Sequence, residues 1–219
     1  MSILLDFLFP RRCYGCGHPG QYLCSACQSQ LFPQPINLID TSLFEGNLSL
    51  FKYNGLITNL IHDYKYNFVS DLAGQLSGLI SSTLKSSYPN LLKYWQNNLF
   101  TLIPIPLHPF RQKWRGYNQS DLICQHLSRQ IKLNYSNNLL SRSVNTSPQV
   151  KNEKPSDRQA NLSNVFNINE TNTNPGENFI LVDDVATTFS TLRSARHAFT
   201  CQINSCHLVK KFWTLTIAG

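Results

Sequence analysis

The feature that most constrains the fold is one run of residues, 179–192, which reads FILVDDVATTFSTL. Its four apolar residues end in two acids, a hydroxyl-rich turn follows, and residues 190–199 can continue as a helix. A fully apolar strand that stops at charged residues is typical of a central parallel strand, which is buried on both faces. We therefore expect an α/β fold whose ligand site lies at the carboxyl end of this strand.

The residue types in this run have the chemistry of a site for a phosphorylated sugar. The N–H groups at a helix N-terminus bind phosphate. Four hydroxyl groups stand where the helix would begin, those of Thr187, Thr188, Ser190 and Thr191. The carboxylates of Asp183 and Asp184 can hold ribose hydroxyls, directly or through Mg²⁺, which prefers oxygen ligands. The alternative is that the two acids only end a strand before a capping threonine.

Four cysteines near the start of the chain have the spacing of a zinc site. Cys13-x2-Cys16 and Cys24-x2-Cys27 are separated by seven residues. Two such pairs complete a tetrahedral Zn²⁺ shell, and four protein ligands leave no open position, so we expect a structural zinc. The alternatives are two disulfides, four free thiols, or His18 as a replacement ligand.

The remaining hydrophobic patterns predict an alternation of strands and helices. Apolar or alternating runs indicate strands over residues 48–53, 99–105, 139–142 and 204–209. Helical spacing indicates helices over residues 2–9, 55–66, 72–84 and 119–131. Residues 86–98 are polar and predict a loop or a frayed helix. Residues 143–156 predict a mobile loop, which either covers the site or is a plain surface connection.

A basic and aromatic segment, residues 107–119, follows the strand at 99–105 and is predicted to be a loop at the same edge of the sheet. Its Arg111 and Arg115 are spaced like a phosphate or pyrophosphate clamp, because arginine offers fixed donor geometry for that purpose. Lys65, at the end of the predicted helix 55–66, either faces the ligand or is a solvated lysine at a helix end.

Charge and length limit the class of protein further. Lys and Arg outnumber Asp and Glu by 19 to 12, which gives a net charge of +7 and favours anionic partners. We find no signal peptide, and residues 1–9 are too short for a membrane span. These features predict a cytoplasmic protein with reduced cysteines. The expected organisation is a helix and zinc module at 1–32, a linker at 33–47 and one domain at 48–219.

Residues 182–191 resemble the phosphoribosyl pyrophosphate (PRPP) loop of type I phosphoribosyltransferases. The matching positions are Asp183, Asp184, Val185, Thr187, Thr188 and Thr191. Phe189 stands where that loop usually has glycine, which allows a positive φ and a close approach of the backbone to phosphate. A bulky residue at this position is expected to tighten, distort or close the pocket.

The order of these parts resembles one family, the ComF/ComFC competence proteins, which include the gluconate-associated GntX proteins. The strings that carry the resemblance are Cys13/16/24/27, Tyr64-Lys-Tyr66, Ile103-Pro-Ile-Pro-Leu-His108, Arg111 with Arg115-Gly-Tyr-Asn-Gln119, Gln149 with Arg158, Asn161-Leu162 and Phe166, and Val182-Asp-Asp-Val-x-Thr-Thr188. The resemblance implies a zinc module followed by a type I phosphoribosyltransferase-like parallel sheet flanked by helices. It also implies a bacterial protein of natural transformation that helps to bring single-stranded DNA inside.

Three functions are compatible with these features. The first, which we favour, is a DNA-uptake factor that binds single-stranded DNA through its basic segment and stacks bases on Phe110, Trp114 or Tyr117. A DNA-uptake helicase, the inner face of the membrane reached through the uptake machinery, and a PRPP-like small molecule are its expected partners. The second is a PRPP-dependent transferase, in which Arg111 or Arg115 neutralises pyrophosphate. The third is a regulator that binds PRPP without turnover.

Overall fold

The structure is a computed structural model that describes residues 10–38, 41–67, 69–143, 165–169, 178–202 and 211–219. Its centre is a five-stranded parallel sheet, whose strands lie in the order β1-β7-β6-β2-β3. These strands are β1 (Gly46–Phe51), β2 (Phe100–Pro104), β3 (Asn134–Tyr135), β6 (Asn178–Val185) and β7 (Phe212–Ala218). Two short strands, β4 (Leu140–Arg142) and β5 (Phe166–Ile168), form a separate antiparallel pair.

Helices cover both faces of the sheet. The described helices are α1 (Ser25–Gln28), α2 (Gly55–Tyr66), α3 (Leu72–Ser87), α4 (Pro89–Asn97), α5 (Pro109–Arg115), α6 (Gln119–Ile131) and α7 (Ser190–Gln202). Alternate residues of β6 divide between two apolar clusters: Ile180 and Val182 join residues of α2, α3, α4 and α6, whereas Phe179 and Leu181 join residues of α7, β4 and β5. The middle strand is therefore buried on both faces, as its apolar run predicts.

The predicted α/β fold, a parallel sheet flanked by helices with an N-terminal four-cysteine module, is confirmed. The apolar run at 179–182 lies inside β6, between β7 and β2. Helices α2 and α6 have the bounds that their hydrophobic spacing predicts. These elements were predictable because each has a strong hydrophobic pattern of its own, a continuous apolar run in β6 and helical spacing in α2 and α6.

Two segments are helical, one that was predicted to be a loop or a frayed helix and one that was predicted to be a loop. Residues 89–97 form α4, because Leu92 and Trp95 lie three positions apart and are both buried, with the Trp95 ring 5.6 Å from that of Trp213. Residues 109–115 of the basic segment form α5, which begins with Pro109 and ends at Gly116 with a φ of 80°. Tertiary packing explains the first helix, and local capping explains the second.

The last strand, β7, was not predicted, although its sequence FWTLTIA is rich in aromatic and β-branched residues. The predicted strand 204–209, the helix 2–9 and all but the first residue of the loop 143–156 lie outside the described residues, as do Arg158, Asn161 and Leu162. Among the helices of the described part of the chain, none has the length and apolar character needed to cross a membrane.

The segment with the four cysteines, residues 13–27, which we name the cysteine module, packs against α2 and α3. The Gln75 side chain on α3 accepts hydrogen bonds from the N–H groups of Tyr22 and Leu23, at 3.0 and 3.1 Å. The Tyr14 hydroxyl donates to Asp63 on α2 at 2.5 Å. The segment after the module lies against the sheet, because the Gln34 N–H donates a hydrogen bond to the Leu50 carbonyl oxygen in β1. The predicted domain boundaries at 32 and 47 stay a prediction.

Candidate functional site

The four cysteines of the module converge on one point. The Sγ atoms of Cys13, Cys16, Cys24 and Cys27 all lie within 4.8 Å of one another. The Sγ atoms of Cys16 and Cys24 are 3.6 Å apart, which is far longer than a disulfide bond of about 2.05 Å. The four cysteines are therefore free thiols arranged as a metal shell, and they do not form disulfides in this structure.

The backbone of the module favours the thiolate form of Cys13, whereas the neighbouring thiols raise the pKa of Cys16 and Cys27. Burial alone would raise the pKa of Cys13, but N–H groups of Cys24, Cys16 and Gly15 outweigh it and lower the pKa to about 6. A Cβ atom at Gly15 would lie 2.6 Å from Cys27 Sγ, so only glycine leaves room for the shell. Zinc bound by four cysteines has no open position, and the site is therefore structural. Within the described residues, His18 is not part of the cluster.

A second site is a cleft of about 230 Å³ at the carboxyl ends of β6 and β2. Six of the predicted site residues line it: Lys65, Arg111, Arg115, Asp183, Asp184 and Thr191. They come from α2, α5, β6 and α7, elements that are far apart in the chain. We refer to this site as the cleft.

The two acids of the cleft are held in different ways. Asp184 is 6% exposed, and its carboxylate lies 2.7 Å from Lys65 Nζ. Asp183 is partly buried, and its Oδ1 accepts hydrogen bonds from the Ser120 hydroxyl at 3.1 Å and from the Asp184 N–H at 2.9 Å. Burial and the neighbouring Asp184 carboxylate raise the pKa of Asp183 to about 7, although Lys65 and the two hydrogen bonds oppose this rise.

Lys65 belongs to the cleft and is not a solvated residue at a helix end. Burial would lower its pKa, but the Asp184 carboxylate outweighs this effect, and the pKa of Lys65 lies above its ordinary value. The lysine is therefore charged in the folded protein. Its contact with Asp184 fixes one acid of the pair and leaves the other as the more weakly compensated group.

A third arginine, Arg142 at the end of β4, also lines the cleft and was missed from the sequence. Its guanidinium lies 5.4 Å from the Phe166 ring centroid on β5, a cation–π contact. Burial and the guanidinium of Arg111 lower the pKa of Arg142, while Asp183 opposes them. Nothing in the sequence marks Arg142, because it reaches the cleft only through the pairing of β4 with β5.

The string Arg115-Gly-Tyr-Asn-Gln119 joins α5 to α6, and its residues have separate structural roles. Gly116 takes a left-handed conformation that ends α5. The Tyr117 hydroxyl donates to the carbonyl oxygen of Tyr64. The Asn118 side chain accepts from the Ser120 N–H at 3.2 Å and donates to the Ile105 carbonyl at 3.1 Å, which ties the start of α6 to the end of β2. This segment therefore positions Gln119 and Arg115 at the cleft.

Two buried hydrogen-bond donors at the cleft have no partner among the described residues. Gln119 is 1% exposed, and its Nε2 makes no hydrogen bond. Arg115 Nε is likewise buried without an acceptor, while the guanidinium lies 5.6 Å from the Tyr66 ring centroid. A buried donor without an acceptor costs about 1–3 kcal/mol. Both donors belong to side chains that form the wall of the cleft.

The predicted phosphate-binding hydroxyls lie beside the cleft, around the loop of residues 186–190 that joins β6 to α7. They surround a small cradle of about 50 Å³, which shares Asp183, Val185 and Thr191 with the cleft. The Thr188 and Ser190 hydroxyl oxygens are 3.0 Å apart. Thr187 and Thr188 also line a separate cavity of about 630 Å³ on the side of β7 and β1. We call the small space the phosphate cradle.

Phe189 adopts the backbone conformation for which glycine was expected, with a φ of 56°. Its partly buried side chain packs against the apolar cluster of α7, β4 and β5, together with Leu43 and Ile168. Phe189 borders the phosphate cradle but does not line the cleft. Whether this bulky residue tightens, distorts or closes the phosphate-binding part of the pocket stays a prediction.

The outer face of α5 exposes two aromatic rings. No residue of α5 is buried, and Phe110 and Trp114 are 68% and 58% exposed. Their spacing of four residues places them on one side of the helix. Tyr117, the third predicted stacking residue, is partly buried, and its ring packs 5.7 Å from that of Tyr64. Of the three predicted stacking residues, Phe110 and Trp114 are therefore the two whose rings are exposed.

Comparison with known proteins supports this architecture. Residues 4–37 match the model of the double zinc ribbon domain. The chain is 45% identical over 92 residues to competence protein F of Haemophilus influenzae, an alignment that covers 42% of this chain and 40% of that protein. It is 29% identical over 201 residues to competence protein ComFC of Bacillus subtilis, covering 81% and 77% of the two chains.

A further relative decides the family. The DNA utilization protein YhgH of Escherichia coli O157:H7 is 30% identical over 185 residues, which are 82% of this chain and 74% of that protein. This chain belongs to the ComF/ComFC (GntX-like) family. Among solved structures, adenine phosphoribosyltransferase from Leishmania donovani matches at 17% identity and a TM-score of 0.30, over 62% of this chain and 64% of that chain.

In the described part of this ComF-family chain, strings that carry the resemblance meet at two places. The four cysteines form the zinc shell. The strings around Lys65, Arg115 and Asp183 come together at the cleft. Residues that are more than 100 positions apart in the sequence thus share one site, because the carboxyl ends of parallel strands lie at the same edge of the sheet.

Proposed function

We propose that this protein is a DNA-uptake factor that handles incoming single-stranded DNA and binds a PRPP-type ligand in the cleft. The observation that carries the ligand proposal is the cleft itself, where three arginines and a lysine meet two carboxylates beside the phosphate cradle. The relatives named as competence and DNA utilization proteins support the uptake role.

The charge balance of the cleft favours a polyanion. Four cations and two carboxylates line it, and Asp183 has a pKa of about 7, so the lining carries a positive charge at neutral pH. A sugar with a phosphate and a pyrophosphate group would complete this balance. Arg111, Arg115 and Arg142 would hold the pyrophosphate oxygens, because the guanidinium fork matches phosphate geometry.

The remaining groups suit the sugar and its phosphate. Asp183 and Asp184 would hold the ribose hydroxyls. The hydroxyl groups of the phosphate cradle and the N-terminus of α7 would hold the 5′-phosphate: Thr187, Thr188, Ser190 and Thr191. A Mg²⁺ ion fits the donor set, since both carboxylates line the cleft and hard cations prefer oxygen ligands. Bound there, the ion would neutralise part of the pyrophosphate charge.

Single-stranded DNA would bind along α5. Proteins that bind single strands combine cations that follow the phosphate backbone with exposed aromatic rings on which bases stack. Helix α5 carries Arg111, Lys113 and Arg115, has no acidic residue, and exposes Phe110 and Trp114. The net charge of +7 would favour the encounter with DNA.

Turnover is the point on which the remaining candidate functions differ. A PRPP-dependent transferase would release pyrophosphate, and a regulator would bind PRPP and release none. Both use the same cleft residues in the same binding roles. Measurement of pyrophosphate release separates them, and the DNA-uptake role is compatible with either.

The test is calorimetric titration of the zinc-loaded protein with PRPP and Mg²⁺, together with two variants. Asp183→Asn should weaken binding at least tenfold, because it removes a carboxylate that faces the ligand. Asp71→Asn is the matched control, since Asp71 pairs with Arg11 at 2.7 Å and does not line the cleft. PRPP should bind to the control with the parent affinity.

The DNA part of the proposal has a separate readout. Fluorescence anisotropy of a labelled oligothymidylate should show binding that weakens steeply with salt, because cation–phosphate contacts release counterions. Absence of PRPP binding in the parent protein would remove the cleft from the proposal. Absence of salt-sensitive binding to the oligonucleotide would remove direct DNA handling.

A further inference from the structure

Helix α5 belongs to two surfaces at once. Arg111 and Arg115 line the cleft, and both are partly buried. Phe110, Lys113 and Trp114 are exposed on the same seven-residue helix. The cations that face the cleft are therefore within one helical turn of the rings that face solvent.

The cleft side of the helix is the more constrained one. Arg115 stacks on Tyr66 and has a buried Nε, and Arg111 lies close enough to Arg142 for the two like charges to affect each other. A polyphosphate in the cleft would accept hydrogen bonds from the side chains of Arg111 and Arg115 and hold both guanidinium groups inward. A DNA strand that stacked on Phe110 and Trp114 would need the same groups for its phosphates, because Lys113 is the one other cation on α5.

We propose that a PRPP-type ligand in the cleft and single-stranded DNA on the outer face of α5 compete for Arg111 and Arg115, so that each weakens the binding of the other. The inference rests on the proposed function and adds a regulatory link between its two parts. Such a link is reciprocal, since two ligands that change each other's affinity must do so by the same factor. Repulsion between the pyrophosphate and the DNA phosphates acts in the same direction.

The expected size of the effect follows from the number of shared contacts. Loss of two cation–phosphate contacts should lower the slope of log affinity against log salt by about 1.4 units for a single strand. The affinity for DNA should fall about tenfold when PRPP is saturating, a factor within the usual range for linked sites. A purely structural disturbance would not change the salt slope by this amount.

The experiment measures binding of a fluorescein-labelled oligothymidylate to the full zinc-loaded chain over a series of salt concentrations. It is done with and without saturating PRPP, at constant Mg²⁺ and with ionic strength matched by potassium chloride. PRPP binding is followed in parallel by calorimetry. Competition predicts both the weaker affinity and the smaller salt slope.

Two variants separate the surfaces. Trp114→Ala should weaken DNA binding about fivefold or more through lost stacking and leave PRPP affinity unchanged, because Trp114 does not line the cleft. Gln119→Leu should weaken PRPP binding and leave DNA affinity unchanged in the absence of PRPP. In Gln119→Leu, PRPP at the concentration that saturates the parent should no longer displace DNA.

Each outcome decides one statement. If PRPP binds but DNA affinity and salt slope stay the same, or DNA binds more tightly, competition is wrong and the proposed cleft stands. If PRPP does not bind while DNA does, the cleft proposal fails and the competition with it. If PRPP lowers DNA affinity equally in Gln119→Leu, the effect does not arise at the cleft and the inference is overturned.

Discussion

The cysteine module and the cleft bring their functional groups together in opposite ways. The module draws its four thiols from 15 consecutive residues, 13–27, and local N–H groups lower the pKa of Cys13 to about 6 before any metal is considered. The cleft draws its groups from six elements, α2, α5, α6, β4, β6 and α7, and Gln119 Nε2 and Arg115 Nε in its wall have no acceptor. The cysteine module thus has a full set of metal ligands, whereas the wall of the cleft contains two buried donors without acceptors.

This difference indicates what each site is for. A closed shell of four thiolates has no place for a reacting molecule, so its contribution is to stability, and the module packs on α2 and α3 through Gln75 and Asp63. A cleft with excess positive charge, a carboxyl whose pKa is about 7 and two unsatisfied donors costs stability in the free protein. Sites that give up stability in this way are typical of ligand binding. Changes in the two regions should therefore act in opposite directions on stability.

The largest effect is expected from the module. Cys13→Ser should remove zinc and make the protein insoluble, because metal binding contributes about 10–16 kcal/mol to the folding of zinc-finger peptides. Zinc content by elemental analysis and the soluble fraction check this. Cys124→Ala is the control, since Cys124 is fully buried but outside the cluster, and it should retain zinc. A soluble and folded Cys13→Ser protein without metal would show that the module does not depend on zinc.

The second-largest effect concerns Asp183, where a substitution should raise the stability of the protein rather than lower it. Its pKa is raised, so the stability due to the protonated carboxyl is fully present below about pH 4 and is lost as the pH rises through 7. Asp183→Asn has no charge to bury and should be more stable than the parent at pH 8 by about 2–4 kcal/mol. Urea unfolding at pH 4.5 and 8, without divalent ions, measures the difference. Equal pH dependence in both proteins would contradict the burial of an ionising group.

A smaller gain is expected at Gln119. Gln119→Leu removes a buried donor that has no acceptor and keeps a side chain of similar size. The free protein should gain about 1 kcal/mol of stability. Gln125→Leu, at an exposed position on the same helix, is the control and should change stability by less than about 0.5 kcal/mol. Destabilisation by Gln119→Leu would mean that the amide has a structural partner.

The sequence predicted the parts of both regions that depend on local pattern. Cysteine spacing identified the zinc shell, and the apolar run ending in two acids identified the central strand, because short-range order determines both. Lys65, Arg111 and Arg115 were named as candidate ligand-binding residues, and the structure brings them to the cleft that the two acids also line. Whether these residues bind PRPP stays a prediction.

What the sequence did not reveal depends on tertiary contacts. Arg142 enters the cleft through the pairing of β4 with β5, and α4 is stabilised by burial of Trp95 against Trp213. Gln119 was named only as the start of a helix, and its unsatisfied donor is visible only once its surroundings are known. Phe189 was recognised as a departure, but the direction of its side chain follows from packing that no local pattern describes.

Phe189 gives the smallest expected effect and tests the cleft most finely. Phe189→Gly relieves a left-handed backbone that costs a side-chain-bearing residue about 1–2 kcal/mol. It also adds chain entropy and loses the packing of the ring against the apolar cluster of α7, β4 and β5. The net change should be a loss of about 1 kcal/mol. Phe189→Ala keeps the strain and loses the packing, so urea unfolding should rank it below Phe189→Gly. Because the side chain does not line the cleft, PRPP affinity should change less than about threefold in Phe189→Gly, and a large gain would mean that the ring restricts the phosphate cradle after all.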